Sequence, residues 1–439
     1  MKSASIASSE RKIALNYPAG APLEETRWFS IARISLITLL FAAPLAFGAV
    51  QTLAWAILSV VSVSLLLSWV LGCVRQNEIR IRWAPLYVPT ALFLLLGMVQ
   101  LLTSHTLDRI GTREAIIKLT TNLLIFFLVG QLFDRASRRF WHRFGTAVTL
   151  YAFALSTFAI FQFFSEPNRI YWTVQPRWGG NVFGPYVNRN HYAGLMEMLI
   201  PIGAAFVLWQ TKRRPWRWML AFAIALSFAS VLVSGSRAGA VSLLIESLIF
   251  GAILLARSRR SGNRDFVLAS FALATGIALF LWVAPADVSE RLRTIVQSPE
   301  LSYGDRKQMS FDSMRMFQDH PWVGVGLGSF QTAYTRYQKL SGDALVDHAH
   351  NDFAEVLAET GLLGGLLILA TLVLFFISAF RNSGARFEGA KQWICFGAAV
   401  GCCGLIIHSF ADFNLHIPAN AAWFAFSAGA TQLTSPPSA

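Results

Sequence analysis

Apolar runs of about 20 residues recur along the whole of this 439-residue chain, and no other feature constrains its fold as strongly. A helix needs roughly 20 residues to cross a bilayer, and helices satisfy their own backbone hydrogen bonds in lipid. The expected fold is therefore an all-α polytopic membrane protein. Composition agrees: 54% of residues are hydrophobic and only 14% are charged, against about 25% in ordinary soluble domains. About twelve spans are expected, near 29–49, 52–74, 84–103, 116–133, 144–164, 191–210, 218–235, 238–256, 266–284, 353–380, 390–409 and 416–432. Residues 1–28 read as a cytoplasmic tail without a cleavable signal, 29–432 as the membrane domain, and 433–439 as a second cytoplasmic tail.

The net charge of +13 first suggests nucleic acid. Its distribution argues for topology instead. With the N-terminus inside, the cytoplasmic segments hold 23 Lys/Arg against 7 Asp/Glu, and the opposite side holds 14 against 15. This is the positive-inside bias, and no nucleic-acid partner is expected. Four cysteines, Cys73, Cys395, Cys402 and Cys403, fall in or beside spans. No structural disulfide is expected of them, and their spacing fits no zinc pattern.

Two long loops face outward in this topology, 165–190 and 285–351, the second between the ninth and tenth spans. Long ordered loops usually carry function. The first ends "GGNVFGPYVNRNHYAGL", where Asn188 or Asn190 can cap the next helix and Arg189 with the free N–H groups of that helix end can bind an anion. In "VSGSRAGAVSLLIE", Arg237 lies at a short hairpin, where a charge should face a cavity or a partner. Glu246 is nine residues deeper and is expected to make a structural ion pair or hydrogen bond. In the second loop, "YGDRKQMSFDSMRMF" reads as an amphipathic helix, with Met309, Met314 and Phe317 apolar and Asp312 and Arg315 between them. Arg306 there is an anion-binding candidate. Pro321 stops the helix, and "GVGLGSF" follows as a flexible apolar turn.

The loop closes with "HAHNDFAEVLAETGLLGG". Three readings of it stand side by side. His348, His350 and the nearby carboxylates can ligate zinc. His350 can perform acid–base chemistry, oriented by Asn351 or an acid. Or the stretch is a polar helix cap, followed by glycines that pack helices closely. The last outside segment, "HSFADFNLHIPANAA", adds His408, Asp412, Asn414, His416 and Asn420 at another pair of span ends. Two such junctions on one face point to a shared polar cavity.

Taken together, these stretches resemble the O-antigen ligase and polymerase superfamily of bacterial envelope glycan enzymes. The family's mark is a histidine followed by Asn, Ser or Gln, nine residues, then G-x-x-G; His350, Asn351, Gly361 and Gly364 match it. "SGSRAGA", "FGPYVNRNHYAGL", "HPWVGVGLGSF" and "HSFADFNLHIPANAA" resemble its other landmarks, in the expected order. One departure is "KQM" after Arg306, where the family often has an aromatic. The resemblance implies a GT-C-like inner-membrane glycosyltransferase without cofactor or metal. Its donor would be a glycan on undecaprenyl diphosphate, and its acceptor lipid A-core, another lipid-linked glycan or a protein. It would act on the periplasmic side, with both termini cytoplasmic. Its implied catalytic residues are His350, Arg189 and Arg237. Arg306, Asn188, Asn190, His348, Asn351, Asp352, His408, Asp412 and His416 would bind substrate. The chemistry is coherent. A lipid diphosphate leaves as a stable anion and needs cations, while an acceptor hydroxyl needs a base, and an imidazole titrates near 6.5. A transporter is the alternative from another class, but its usual two-fold repeat is not evident.

Overall fold

A computed structural model describes residues 12–15, 27–76, 78–134, 136–176, 180–210, 215–261, 303–339, 346–383 and 389–433. The expected span at 266–284, Gly179, parts of the long loop (285–302 and 340–345) and most of both tails lie outside them. The helices are α1 (Arg27–Leu45), α2 (Thr52–Arg75), α3 (Tyr87–Leu102), α4 (Arg109–Phe133), α5 (Arg138–Ser165), α6 (Arg189–Trp209), α7 (Pro215–Val233), α8 (Arg237–Ser261), α9 (Tyr303–Asp319), α10 (Phe330–Tyr334), α11 (Asp352–Ser383), α12 (Ala390–His408) and α13 (Pro418–Thr431). A short parallel pair joins Lys12–Leu15 to Glu78–Ile81. Among the described residues, nine helices are long and apolar enough to cross a membrane, with α3 a shorter apolar helix. The chain is a multi-pass membrane protein. Each expected span other than 266–284 coincides with a helix.

Helix starts differ from the hydropathy reading for a local reason. α4 begins at Arg109 rather than 116, because Asp108 Oδ1 accepts from the N–H groups of Ile110 and Gly111 at 3.0 and 2.9 Å. α5 begins at Arg138 rather than 144, with Ser137 Oγ accepting from Phe140 N–H at 3.2 Å. A side-chain cap supports a polar first turn that an apolar window cannot detect.

α6 is the central helix and α12 lies tightly along it. Glycines permit the approach: a Cβ on Gly401 would come within 2.8 Å of Met198 Cα, and one on Gly397 within 2.7 Å of Ile202 Cα. Lipid supplies no hydrophobic drive between helices, so such backbone contact is a main source of cohesion. The outer faces of α2, α3, α7 and α11 expose large apolar side chains, among them Leu53, Leu102, Trp218 and Phe380, as a lipid-facing surface does.

α11 is broken. Gly361 has φ 62° and ψ −160° inside it. Just before the break, the Ala358 and Glu359 carbonyls accept from Val325 and Gly326 N–H at 3.0 and 2.9 Å. The first N–H groups after it, Leu362 and Leu363, donate to the Pro321 and Trp322 carbonyls at 2.7 and 3.2 Å. Gln100 of α3 completes the joint: its Nε2 donates to the Val323 and Glu359 carbonyls at 2.6 and 2.9 Å, and its Oε1 accepts from Leu327 N–H at 3.1 Å. The glycine turn is thus a clip rather than a flexible loop. Gly324, Gly326 and Gly328 all have positive φ. Gly361, read as ordinary helix packing, is a required break point.

The amphipathic helix α9 also differs from expectation. Its buried face carries Met309, Asp312, Ser313 and Met316, each 0% exposed, and Met314 is only partly buried. Asp312 turns inward because it has partners there: Gln308 Nε2 at 2.9 Å, Arg315 Nη1 at 3.0 Å and the Tyr334 hydroxyl at 3.3 Å.

Candidate active site

Two short segments meet above α6: 346–351, leading into α11, and 409–417, joining α12 to α13. Asp352 N–H donates to the Ser409 carbonyl at 2.9 Å and ties them together. His350 occupies the turn with φ 50°, a left-handed conformation that costs a non-glycine residue about 1–2 kcal/mol. Its neighbours hold it there. Ala349 N–H donates to Glu355 Oε2 at 2.7 Å, and Asn351 Oδ1 caps α11 by accepting from Phe353 and Ala354 N–H, both at 3.1 Å.

The turn drives the His350 ring inward, to 9% exposure, beside Asp412, which is 0% exposed. His350 Nδ1 lies 3.3 Å from Asp412 Oδ1. The same oxygen accepts from Phe413 N–H at 2.9 Å, and Oδ2 accepts from Asn190 Nδ2. His191 Nε2 stands at 3.8 Å, too far for a hydrogen bond but near enough to act by charge. Burial alone would raise the Asp412 carboxyl. His191 and His350 outweigh it and hold the group well below the usual carboxylate range. An ionised Asp412 accepts a hydrogen bond from the Nδ1–H of His350, which keeps the proton on Nδ1 and leaves Nε2 as the basic nitrogen.

A second layer borders this pair. His348 Nδ1 is 2.7 Å from Glu355 Oε1, His416 Nε2 is 3.3 Å from the same oxygen, and His416 Nδ1 is 2.9 Å from Asp352 Oδ1. Burial opposes protonation of His416, but Glu355 and Asp352 prevail and raise it to about 10. Donor atoms of His348, Glu355 and His416 lie within 4.8 Å of one another, a spacing that a cation could bridge. Phe413 packs among three imidazoles: its ring centroid is 4.4 Å from that of His348, and 4.8 Å from those of His191 and His350.

The candidate residues divide by location. Asn188 caps α6 through Asn190 N–H at 2.8 Å. Arg189 is the first residue of α6 and 8% exposed; its N–H donates to the Asn181 carbonyl at 2.8 Å. Arg306 Nη1 reaches the Ala411 carbonyl at 3.5 Å, next to Asp412. Asn190, His348, His350, Asn351, Asp352, Asp412 and His416 come together. His408 does not join them at the turn: it is 1% exposed and bonded through Nδ1 to Glu197 Oε1 at 2.7 Å. Arg237 is exposed at the head of α8, and among the described residues no contact ties its side chain to the cluster. Glu246 lacks the expected partner, since both of its buried oxygens are without a hydrogen bond. Glu355 serves the histidines, and Glu359 Oε1 accepts from Phe330 N–H at 2.9 Å. Phe413 and Glu197 went unrecognised as neighbours of the site. Phe413 had a signal, since it lies between Asp412 and Asn414; the partnership of Glu197 with His408 had none.

An apolar cavity of about 300 Å³ opens beside this cluster, between α9 and α11, lined by Lys307, Phe311, Asn351, Phe353, Leu357 and Phe410 among others. Fold and site thus define a class: a polytopic membrane protein with a buried imidazole–carboxylate cluster at one end of its helices. Residues 222–369 match the family model described as O-antigen ligase. That match supports the O-antigen ligase superfamily, whose members are glycosyltransferase-like ligases and polymerases. The matched segment holds Arg237, Arg306, His350, Gly361 and Gly364, while Arg189 and Asp412 lie outside it. No curated protein matches the chain.

Proposed function

We propose that this protein is an O-antigen ligase-like glycosyltransferase of the bacterial inner membrane. It moves a glycan from undecaprenyl diphosphate to an acceptor hydroxyl, of lipid A-core or a similar glycan, on the periplasmic side. The observation that carries the reading is His350 in a left-handed turn with Asp412 at its Nδ1. In this mechanism His350 Nε2 takes the hydroxyl proton as the acceptor oxygen bonds to the anomeric carbon. The bond from that carbon to the diphosphate oxygen breaks with inversion, and the electron pair leaves on the lipid diphosphate. Arg189 and Arg306 stabilise the anion, with Arg237 at the rim. The cavity beside Asn351 suits the first isoprene units, with Lys307 toward the phosphates. Asn188, Asn190, His348, Asn351, Asp352 and His416 hold the walls, His408 acts from beneath, and no metal is used. The architecture is GT-C-like, with 29–432 as one catalytic domain. Polymerisation, or transfer to protein, uses the same donor and differs in the acceptor.

The test is reconstitution with an undecaprenyl-diphosphate glycan and alternative acceptors, followed by analysis of the product linkage. General base catalysis contributes about 10²–10⁴-fold, so His350→Ala should lose at least about 10²-fold in kcat with insertion and folding intact. Arg189→Lys should recover only part of the loss in Arg189→Ala if the guanidinium fork grips the diphosphate. Wild-type rates in His350→Ala would end the base assignment, and loss with EDTA that zinc restores would end the metal-free one.

A further inference from the structure

Beneath Asp412, three helices enclose a second polar cluster. α6 supplies Glu197, α8 supplies Ser242 and Glu246, and α12 supplies His408. Glu197 and Ser242 are 0% exposed, His408 1% and Glu246 3%. The hydrogen bond that ties the group is His408 Nδ1 to Glu197 Oε1 at 2.7 Å. Glu197 Oε2, both Glu246 carboxyl oxygens, Ser242 Oγ and His408 Nε2 have none. Buried polar atoms are rarely left so, and this many in one helix interface form a built site for a small ligand.

The cluster is ordered by depth. α6 descends from the His350 end, α7 returns and α8 descends again. At 1.5 Å per residue, Glu197 lies about 12 Å below the head of α6, and Glu246 about 13 Å below the head of α8. On α12, Gly404 is one turn below His408, and the Glu246 carboxyl group occupies the place of the side chain that Gly404 lacks. Ser242 is one turn above Glu246 on the same face of α8. A polar line therefore runs from Asp412 through His408 and Glu197 down to Glu246.

Charge decides what the ligand is. Glu197 and Glu246 feel each other's charge. The titratable groups facing Glu246 among the described residues are Glu197 on α6 and Cys402 and Cys403 on α12, with His408 reached through Glu197. Arg189 and Arg237 stand more than two turns above, at the helix heads. One imidazole can neutralise one carboxylate. The second carboxylate, deep among lipid-spanning helices, needs a cation of its own.

The geometry points to an intramembrane proton-binding site: Glu197, His408 and Glu246 form one cluster whose exchangeable carboxylic proton resides on Glu246 and is reached from the Asp412 end. Its occupancy sets the charge beneath Asp412, and so how firmly the Asp412–His350 pair keeps its own proton. That regulatory role rests on the function proposed above; the proton site does not.

The experiment uses the full-length wild-type chain in detergent micelles and a lipophilic carbodiimide, which adds to a carboxylic acid but not to a carboxylate. Mapping by peptide mass spectrometry should find the adduct on Glu246 at pH 7 and a several-fold fall as the pH is made alkaline. Glu246→Gln should abolish that adduct, and high sodium should leave it unchanged. Absence of an adduct on Glu246 across the pH range overturns the site. Protection by sodium overturns the assignment to a proton. In a reconstituted transfer assay, Glu246→Gln should displace the pH–rate profile relative to wild type; an unmoved profile overturns the coupling. A wild-type chain that labels at Glu246 but transfers no glycan would sink the proposed function and leave the proton site standing.

Discussion

His350 is strained and pinned, and both facts bear on its chemistry. Backbone in the left-handed region persists only where the surroundings over-determine it, and here Glu355, Asn351 and Asp412 do so. Asp412→Asn should keep the ring in place but remove the charge that favours the Nε2-basic tautomer. We expect kcat for transfer to fall about 10²-fold with little change in donor KM, in steady-state assays on the reconstituted protein. An unchanged kcat would remove Asp412 from the mechanism. His416 gives a stability prediction whose sign is fixed. Its folded value, about 10, lies above the unfolded one, so its contribution is complete below about pH 6.5 and is lost as the pH rises toward 10. Wild-type thermal unfolding temperature should decline over that window, and the decline should be shallower in His416→Gln. Equal slopes would mean that the imidazolium is not stabilised there. Asp412 runs the other way. Its depressed value stabilises above about pH 3.9 and is lost only as acid reaches the folded value.

At the scale of elements, the nine residues between Asn351 and Gly361 gain a physical meaning. They are a short helical segment, begun by the Asn351 cap and ended by the Gly361 break. The motif was legible in the sequence as spacing. Its cause was not, because the groups that hold the break come from Pro321–Gly326 and from Gln100, far away in the chain. The same limit hid the role of Asp312, which periodicity set among the polar residues of α9 and packing turned inward toward Tyr334. Asp108 and Ser137, by contrast, are local caps that a closer reading of the polar residues before each span could have found. Gly361→Ala should be severe, because its Cβ would meet the Trp322 carbonyl carbon at 2.4 Å and the backbone would be strained as well. Gln100→Ala leaves buried backbone groups without partners and should destabilise by about 1–3 kcal/mol. Thermal unfolding in detergent measures both. A Gln100→Ala protein as stable as wild type would show that the joint holds without its side-chain bridge.

At the scale of the whole molecule, hydropathy made the multi-pass architecture legible, since it is a sum over many residues. The cluster around His350 was legible only as a list of polar residues, because its pairings cross from one loop to another. The cavity between α9 and α11 leads to a prediction at this scale. Leu357→Trp should fill it and raise KM for a polyprenyl donor several-fold, leaving kcat for a short-chain donor analogue nearly unchanged; equal effects on both donors would show that the cavity does not hold the chain. α11 also sets where the membrane begins. It has 32 residues, about 48 Å, while a bilayer core is about 30 Å thick. Its large exposed apolar side chains start at Leu362 and end at Phe380, a rise of about 27 Å. The Gly361 joint therefore stands at the membrane boundary, with the residues around His350 above it. The joint also carries an order of assembly. Gln100 and the glycine clip are synthesised before α11, so the partners of its interrupted backbone are already in place when that helix leaves the ribosome. A rearranged gene that placed α11 first would deliver the same helix with its broken hydrogen bonds unmet at the lipid edge, where each unmet group costs several kcal/mol.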